Sequence, residues 1–324
     1  MGTVTVQSQP PVLGAAPGVA AGARSSSLWR DTLRNVLAQR SAVLGLIVLT
    51  MLVLVAIFAD VIAPYPPNTS MLDMGDPALI EGAVRGQPPC IRLLGCPAGQ
   101  PEHFMGLDSN LRDEFSRVVH GSRFSLWIGF VTVGFAIAIG TVIGSIAGYL
   151  GGGVDNVLMR LMDVVLSFPS LILAIAIVTV LGPGLVNAQL AIGIVAIPVY
   201  ARVMRASVLS IREQDYVTAA RALGDSDANI LLRRVLPNSL TPLIVQGTLG
   251  IGGAILEVAA LSFVGLGAQP PTAEWGSMIA LDRNLFFSAP HLIFFPGVAI
   301  TLTVLAFNLL GDGLRDALDP RLNR

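Results

Sequence analysis

Long apolar runs that lack charged side chains constrain this chain more than any other feature of its sequence. A helix needs about 20 such residues to cross a hydrocarbon layer about 30 Å thick. Helices buried inside soluble proteins are seldom this long or this numerous. The runs predict an all-α, polytopic membrane protein with six transmembrane helices, at residues 42–62, 124–150, 164–181, 185–201, 237–266 and 284–311.

Composition supports a membrane protein and argues against most soluble enzyme chemistry. Only 13% of the 324 residues are charged, against roughly 25% in soluble domains. All 20 basic residues are Arg, so the lysine of a phosphate-binding Walker A loop is missing. Three His and two Cys supply few metal ligands or nucleophile pairs. We therefore expect no catalytic residues, no metal, no cofactor bound by the chain itself and no nucleic-acid partner.

The placement of arginines predicts the orientation in the bilayer, because cytoplasmic loops carry the positive excess. With the N-terminus inside, 14 of the 20 arginines are cytoplasmic. Arg117 and Arg123 oppose this trend. The predicted organisation is a largely disordered cytoplasmic tail at 1–41, a first helix at 42–63, an extracytoplasmic loop at 64–123, a core at 124–314 that contains a cytoplasmic loop at 202–237, and a cytoplasmic tail at 315–324.

The extracytoplasmic loop contains both cysteines of the chain, Cys90 and Cys96. Facing an oxidising exterior, the two thiols are close enough in sequence to form a small disulfide loop. Two unrelated free thiols are the alternative.

The cytoplasmic loop predicts two short amphipathic helices joined at a glycine bend. Asp215 is the expected N-cap of the first helix, and Ser226 that of the second. Gly224 ends the first helix, with φ above zero, and Pro237 ends the second. Helical spacing gives each helix an apolar face, formed by Tyr216, Ala219, Ala220 and Leu223 in the first and by Ala228, Leu231, Leu232 and Val235 in the second. Helices this short need support, from a partner protein or from the membrane surface.

The stretch TAARALGDSDANILLRRVLPN resembles the cytoplasmic signature loop, or EAA loop, of permease subunits of bacterial ABC importers. The matching positions are Ala219, Ala220, Gly224, Val235, Leu236 and Pro237. Thr218 stands where the signature usually has glutamate. In that family the loop is a coupling helix that docks into a cleft of the ATPase subunit, which implies this role for the loop from Tyr216 through Arg221 to Pro237.

Three further segments resemble the second-subunit, or C-type, permeases of dipeptide, oligopeptide and nickel importers. They are MGLDSNLRDEFSRVVHGSRFSLWIG, ALSFVGLGAQPPTAEWGSMI and FNLLGDGLRDALDPRL. In the first, Gly106, Asp108, Arg112, Asp113, Ser116 and Arg117 match, whereas Leu107 and Leu111 replace the usual Thr and Gly. This explains Arg117 and Arg123 as part of an external helical motif paired with Asp108 and Asp113.

The resemblance implies the fold of a type I ABC importer permease in the bacterial inner membrane. It also implies a heterodimer with a homologous permease, two ATPase subunits that bind ATP and Mg²⁺, and an extracytoplasmic solute-binding protein. Short peptides are the implied substrates, with nickel chelates or glutathione-like compounds as alternatives.

Charged residues inside the predicted helices are functional candidates, because burying them in lipid is costly. Glu257 is expected to pair with another helix or to face the pathway. An ion-coupled carrier would need such a residue, whereas a membrane-embedded enzyme would need clustered reactive side chains. Asp163 is expected to pair with Arg160, and Pro169 to kink the third helix.

Overall fold

The computed structural model describes residues 36–80, 83–97 and 100–318 of the chain. These residues form helices and no β-strand, with only two isolated β-bridges. The prediction of an all-α protein is confirmed. Most of the predicted tail at 1–41, and the end of the tail at 315–324, lie outside the described residues.

We number the helices in chain order. They are α1 (Arg40–Ile57), α2 (Ala59–Ile62), α3 (Pro77–Ile80), α4 (Glu114–Leu150), α5 (Gly152–Leu166), α6 (Ser170–Leu181), α7 (Leu185–Arg212), α8 (Asp215–Ala222), α9 (Asp227–Ile230), α10 (Leu236–Ser239), α11 (Thr241–Phe263), α12 (Trp275–Asp282) and α13 (His291–Leu318). A π-helical stretch, Leu231–Val235, joins α9 to α10, and 3-10 turns lie at Met71–Met74, Arg92–Leu94 and Arg283–Leu285.

Five helices, α1, α4, α7, α11 and α13, are long and apolar enough to cross a membrane. The predicted third span is a broken one, because α5 and α6 meet at an angle of 89°. Pro169 lies at the break as the N-cap of α6. A proline disfavours helical geometry at the residue before it, so the kink predicted here becomes a sharp bend.

The other predicted spans differ from the observed helices at their ends, three of them by seven residues or more. Helix α4 begins at Glu114 rather than at residue 124. Helix α7 continues past Ala201 to Arg212, since no Gly or Pro lies between these two residues. Helix α13 begins at His291 rather than at residue 284, after a 3-10 turn and Pro290.

Helices α4 and α7 pack with their backbones in close contact along a stripe of small residues. Gly140, Gly144 and Gly148 follow one another at i, i+4 and i+8 on the face of α4 that meets α7. A Cβ atom on Gly140 would lie 2.7 Å from the Cβ of Tyr200, and one on Gly148 would lie 2.9 Å from the carbonyl oxygen of Arg205. Such stripes allow close van der Waals contact between helices in lipid, where no hydrophobic force drives association.

A buried ionic cluster holds the 63–113 segment against the helices, at the end of the bundle that we call the loop end. Asp108 accepts hydrogen bonds from the backbone nitrogens of Asn110 and Arg112, both at 2.8 Å, and from Arg112 Nε at 2.7 Å. Arg117 Nε lies 3.6 Å from Asp108 Oδ2. Its NH1 group also donates to the carbonyl oxygen of Pro67 at 2.7 Å. The predicted pairing with Asp108 is therefore confirmed.

Asp113 has different partners from those predicted. Its Oδ1 lies 2.9 Å from His103 Nδ1, and its Oδ2 accepts bonds from the backbone nitrogen and hydroxyl of Ser116, so that it caps α4. The predicted pairing of Asp113 with arginine is wrong, because α4 places Asp113 as its N-cap. Arg123, the other arginine that opposes the charge trend, pairs with Asp60 at 2.9 Å.

Leu111 replaces the glycine expected from the resemblance, and its φ is +60°. A leucine in this left-handed region costs about 1–2 kcal/mol. Its side chain is buried beside Met71 and Leu107, and burying a leucine contributes about 1.5–3 kcal/mol. The burial therefore offsets the backbone cost, which explains how leucine is tolerated here.

Cys90 and Cys96 are joined as a disulfide, with their Cα atoms 5.2 Å apart. The backbone of Cys90 also exchanges two hydrogen bonds with His103, each of 2.9 Å. This bridge connects the cystine loop to the ionic cluster.

We predict that the disulfide is present in the protein isolated from cells. Mass spectrometry of alkylated, non-reduced protein should find neither thiol modified, whereas reduction before alkylation should label both. Two alkylated cysteines in the non-reduced sample would contradict the pairing.

We also predict that Gly144→Ala destabilises the protein by about 1–3 kcal/mol, the usual cost of overpacking, because its methyl group would overlap the carbonyl oxygen of Ala201. Gly134 is the matched control, since it lies on the same helix and a Cβ there meets nothing within 4 Å. Thermal unfolding in detergent should show a lower midpoint for Gly144→Ala than for Gly134→Ala. Equal midpoints would mean that the α4–α7 contact is not close.

Candidate functional site

Residues 215–239 form a helical hairpin at the other end of the bundle, which we call the hairpin end. Its first arm is α8, and its second arm is α9, the π-helical stretch and α10. The turn between the arms closes with two backbone hydrogen bonds, from Gly224 N to Arg221 O at 3.0 Å and from Asp225 N to Ala220 O at 3.1 Å. This is the Schellman arrangement, which needs a left-handed residue after the helix. Gly224 has a φ of +82°, which confirms the prediction.

One side of the hairpin belongs to the main hydrophobic core of the protein. Val217 and Ala220 of the first arm and Ile230 and Val235 of the second are buried, and they share this core with Val208 of α7. The hairpin is therefore packed onto the transmembrane helices by its own apolar residues.

The other side of the hairpin carries apolar residues that stay largely exposed in the described part of the chain. Leu223 is 88% exposed, Leu232 is 61% exposed and Tyr216 is 42% exposed. Ala219 lies between Tyr216 and Leu223 on the same face of α8 and is also exposed. We call Tyr216, Ala219 and Leu223 the exposed stripe.

Polar contacts tie the hairpin to the ends of α4 and α7. Tyr149, near the end of α4, donates its hydroxyl to Asp227 Oδ1 at 2.7 Å. Ser207 of α7 donates its hydroxyl to the carbonyl oxygen of Ser239, at the end of the second arm, at 3.0 Å. Arg212, the last residue of α7, donates to the carbonyl oxygen of Gly148 at 2.8 Å and so joins the ends of α7 and α4 to each other. The hairpin is therefore bonded to both helices.

The turn is also held by a charged side chain within the second arm. Asp225 accepts hydrogen bonds from Asn229 Nδ2 at 2.5 Å and from Arg234 Nε at 3.2 Å. The bond from Asn229, and then that from Arg234, lower the pKa of Asp225 below its ordinary value. The carboxylate is thus kept charged and bonded at the turn.

The structure corrects several details predicted for the first arm. Asp215 is the first residue of α8 rather than its cap, since Gln214 holds the cap position. Ala220 was predicted to share a face with Tyr216 and Leu223, yet it is buried in the core. Both sides of α8 carry apolar residues, so periodicity alone does not reveal which side packs inward. Thr218 and Arg221 are exposed.

The second arm confirms one prediction and corrects two. Ser226 caps α9 as predicted, accepting a bond from the Asn229 nitrogen. Of the predicted apolar face, Val235 is buried and Leu231 partly so, whereas Ala228 and Leu232 are exposed. Pro237 does not end the arm. It lies in the first turn of α10, where a missing N–H is tolerated, with Leu236 half-buried beside it.

Glu257 lies on α11 and is half-buried. The Ser170 hydroxyl, at the start of α6, donates to its Oε1 at 3.3 Å. This contact joins α11 to the bend between α5 and α6. Asp163 pairs with Arg202 of α7 at 2.6 Å rather than with Arg160, because the bend brings α5 beside α7.

Val217, Ile230 and Tyr149 support the hairpin but were not singled out from the sequence. Val217 and Ala220 are spaced at i and i+3, which is a signal for one helical face. The contact between Tyr149 and Asp227 joins residues 78 positions apart, and no local pattern predicts it.

Family models match most of the chain. The model described as "Binding-protein-dependent transport system inner membrane component" matches residues 140–324, which include the whole hairpin. A second model, described as "N-terminal TM domain of oligopeptide transport permease C", matches residues 27–89. The chain belongs to the family of inner membrane components of binding-protein-dependent transport systems. It is a transport permease of the C type and an inner membrane protein.

Similar proteins cover nearly the whole chain. The dipeptide transport system permease DppC of Alkalihalophilus pseudofirmus is 45% identical over 91% of each chain. The di/tripeptide transport system permease DppC of Pseudomonas aeruginosa is 43% identical, and the glutathione transport system permease GsiD of Pectobacterium atrosepticum is 41% identical, each over 91% of both chains. A chain of the MetNI methionine ABC transporter, solved in inward-facing conformations, has the same fold, with a TM-score of 0.53, 21% identity and coverage of 63% of this chain and 97% of that one.

Proposed function

We propose that this chain forms half of the translocation pathway of an ATP-driven importer of short peptides, and that its hairpin couples the pathway to a cytoplasmic ATPase subunit. The observation that carries the coupling is the two-sided hairpin. Its inner side is continuous with the transmembrane core, and its outer side presents exposed apolar residues.

The exposed stripe suits a protein partner better than water. Fully burying a side chain such as Leu223 contributes about 1.5–3 kcal/mol, and the small side chain of Ala219 on the same face allows a cleft wall to approach closely. Arg221 and Arg233 of the hairpin are also exposed and could pair with acidic groups of a partner.

Orientation follows from the same arginines. Placing the hairpin end in the cytoplasm satisfies the positive-inside rule. It also places the disulfide of Cys90 and Cys96 at the oxidising exterior, where disulfides persist. Both termini would then be cytoplasmic.

Coupling would proceed through the contacts at the ends of two helices. When two ATPase subunits bind ATP and Mg²⁺ and close, they would displace the hairpin. Ser207 and Tyr149 would pass this displacement to α7 and α4, which would move together because their backbones are in close contact at Gly140, Gly144 and Gly148. The bend between α5 and α6, held to α11 by Ser170 and Glu257, is where the pathway would change shape, since bent helices at membrane depth line cavities or protein interfaces.

A complete pathway requires a second permease, which we propose is a homologous, non-identical chain. A solute-binding protein would deliver the substrate at the loop end. The names of the DppC relatives favour di- and tripeptides as substrates, whereas the GsiD relatives favour glutathione, itself a tripeptide-like thiol. Nickel chelates are a weaker alternative.

Transport by the reconstituted complex tests this function. Vesicles that contain both permeases and the ATPases, supplied with the binding protein, should accumulate a labelled dipeptide only when ATP is present. A protonophore should not reduce uptake. Uptake that continues without ATP but collapses with the proton gradient would instead indicate an ion-coupled carrier, with Glu257 as its titrating group. Competition by unlabelled dipeptide and by glutathione would decide between the two substrate classes.

Substitution of the exposed stripe tests the coupling surface. Leu223→Glu should weaken retention of the ATPase at least about tenfold, since about 1.4 kcal/mol corresponds to a factor of ten, while membrane insertion is unchanged. Leu93→Glu is the matched control, because Leu93 is 93% exposed at the loop end. ATPase copurification is the measurement. Full retention in Leu223→Glu would contradict docking at this surface and favour a hairpin that rests on lipid. Ala220→Glu is unsuitable for this test because its side chain would enter the core.

A further inference from the structure

Three carboxylates from separate elements converge inside the loop end of the bundle. Asp108 lies in the segment before α4, Glu114 is the first residue of α4 and Asp282 is the last residue of α12. Each is at most 2% exposed. One oxygen from each of them lies within 4.8 Å of the other two.

Glu114 has no hydrogen-bond donor for either of its carboxylate oxygens among the described residues. It differs in this respect from the carboxylates around it. Asp108 accepts bonds from Arg112, Asp113 from Ser116 and Asp282 from the Ser109 nitrogen at 3.3 Å. A buried, ionised carboxylate without a donor or counter-ion is strongly unfavourable. Glu114 in its charged form therefore needs a binding partner.

Carboxylates outnumber arginines around Glu114. The cluster holds four buried carboxylates, those of Asp108, Asp113, Glu114 and Asp282, against the guanidinium groups of Arg112 and Arg117. His103 Nδ1 lies 2.9 Å from Asp113, which leaves Asp108, Glu114 and Asp282 to share the two arginines. Burial raises the pKa of Asp282, and the charge on Asp108 raises it further against the opposing Ser109 bond.

We propose that Asp108, Glu114 and Asp282 bind a divalent cation, with Ca²⁺ as the preferred ion. A cation would supply the counter-charge that these carboxylates lack, and the two free oxygens of Glu114 suit the bidentate binding that Ca²⁺ accepts. Mg²⁺ usually keeps several of its water ligands, whereas Ca²⁺ accepts flexible cages of protein oxygens. A buried set of three carboxylates therefore favours Ca²⁺.

This site was not expected from the sequence, because His and Cys were the ligands counted there. The three carboxylates come from separate elements, so no short sequence motif contains them all. When bound, the ion would link the 63–113 segment, the start of α4 and the end of α12, and so would stabilise the loop end.

Calcium binding by the full-length protein in detergent tests the proposal. After treatment with EDTA, the wild-type protein should bind radioactive Ca²⁺ saturably, and its thermal unfolding midpoint should rise by several degrees in Ca²⁺ and by less in Mg²⁺. Glu114→Gln should bind Ca²⁺ at least about tenfold more weakly, since it removes one charge and one ligand oxygen. Its midpoint in EDTA should equal or exceed that of the wild type, because one buried negative charge has gone.

Two further variants complete the test. Asp282→Asn should also weaken binding about tenfold or more, whereas Asp73→Asn, at an exposed carboxylate of the same segment, should bind as the wild type does. If the wild type binds no Ca²⁺ and its midpoint does not respond, Glu114 carries a proton and the proposal is wrong. Binding that persists in both Glu114→Gln and Asp282→Asn would place the ion elsewhere and would equally overturn it.

Discussion

The close packing of α4 against α7 is the contact on which the rest of the structure depends. Three glycines one helical turn apart bring the two backbones together, and in lipid such packing replaces the hydrophobic force that joins helices in water. The last of these glycines is Gly148, whose carbonyl oxygen accepts a hydrogen bond from Arg212. The next residue, Tyr149, holds Asp227 of the hairpin. A rigid helix pair thus terminates at the surface proposed to receive the ATPase.

The two ends of the bundle are built by different forces. At the hairpin end, apolar side chains extend the transmembrane core into the two arms, and polar contacts remain at the surface. At the loop end, buried charged groups and helix caps are the main stabilising interactions. Glu274, for example, caps α12 by accepting bonds from the nitrogens of Gly276 and Ser277 at 2.9 and 2.8 Å, although burial raises its pKa. Loop-end geometry is therefore sensitive to charge balance, whereas the hairpin depends on packing.

Hydrophobic runs predicted the helical class, and five of the six spans are single helices, two of which continue through an internal proline, Pro198 in α7 and Pro296 in α13. The third is bent, since a proline signals a break but not its angle. Gly224 was predictable because only a left-handed residue closes the turn between two short helices. The burial of Ala220 could not be predicted, because α8 is apolar on two sides. Contacts with Val208 and its neighbours decide which of the two sides packs against the transmembrane helices. Likewise, the partner of Asp163 depends on which helices meet, and sequence spacing does not contain that information. The bonds from Ser116 to Asp113, by contrast, are local at i+3, and the capping role that they define could have been predicted.

The central claim is that the exposed stripe contacts an ATPase subunit in the working transporter. Because Cys90 and Cys96 are paired with each other, Leu223→Cys would introduce a single reactive thiol on the hairpin. A short bifunctional crosslinker should then join this residue to the ATPase in vesicles that transport peptide with ATP, and Leu93→Cys should give no such product. Full ATP-driven transport without any crosslink from position 223 would contradict the claim.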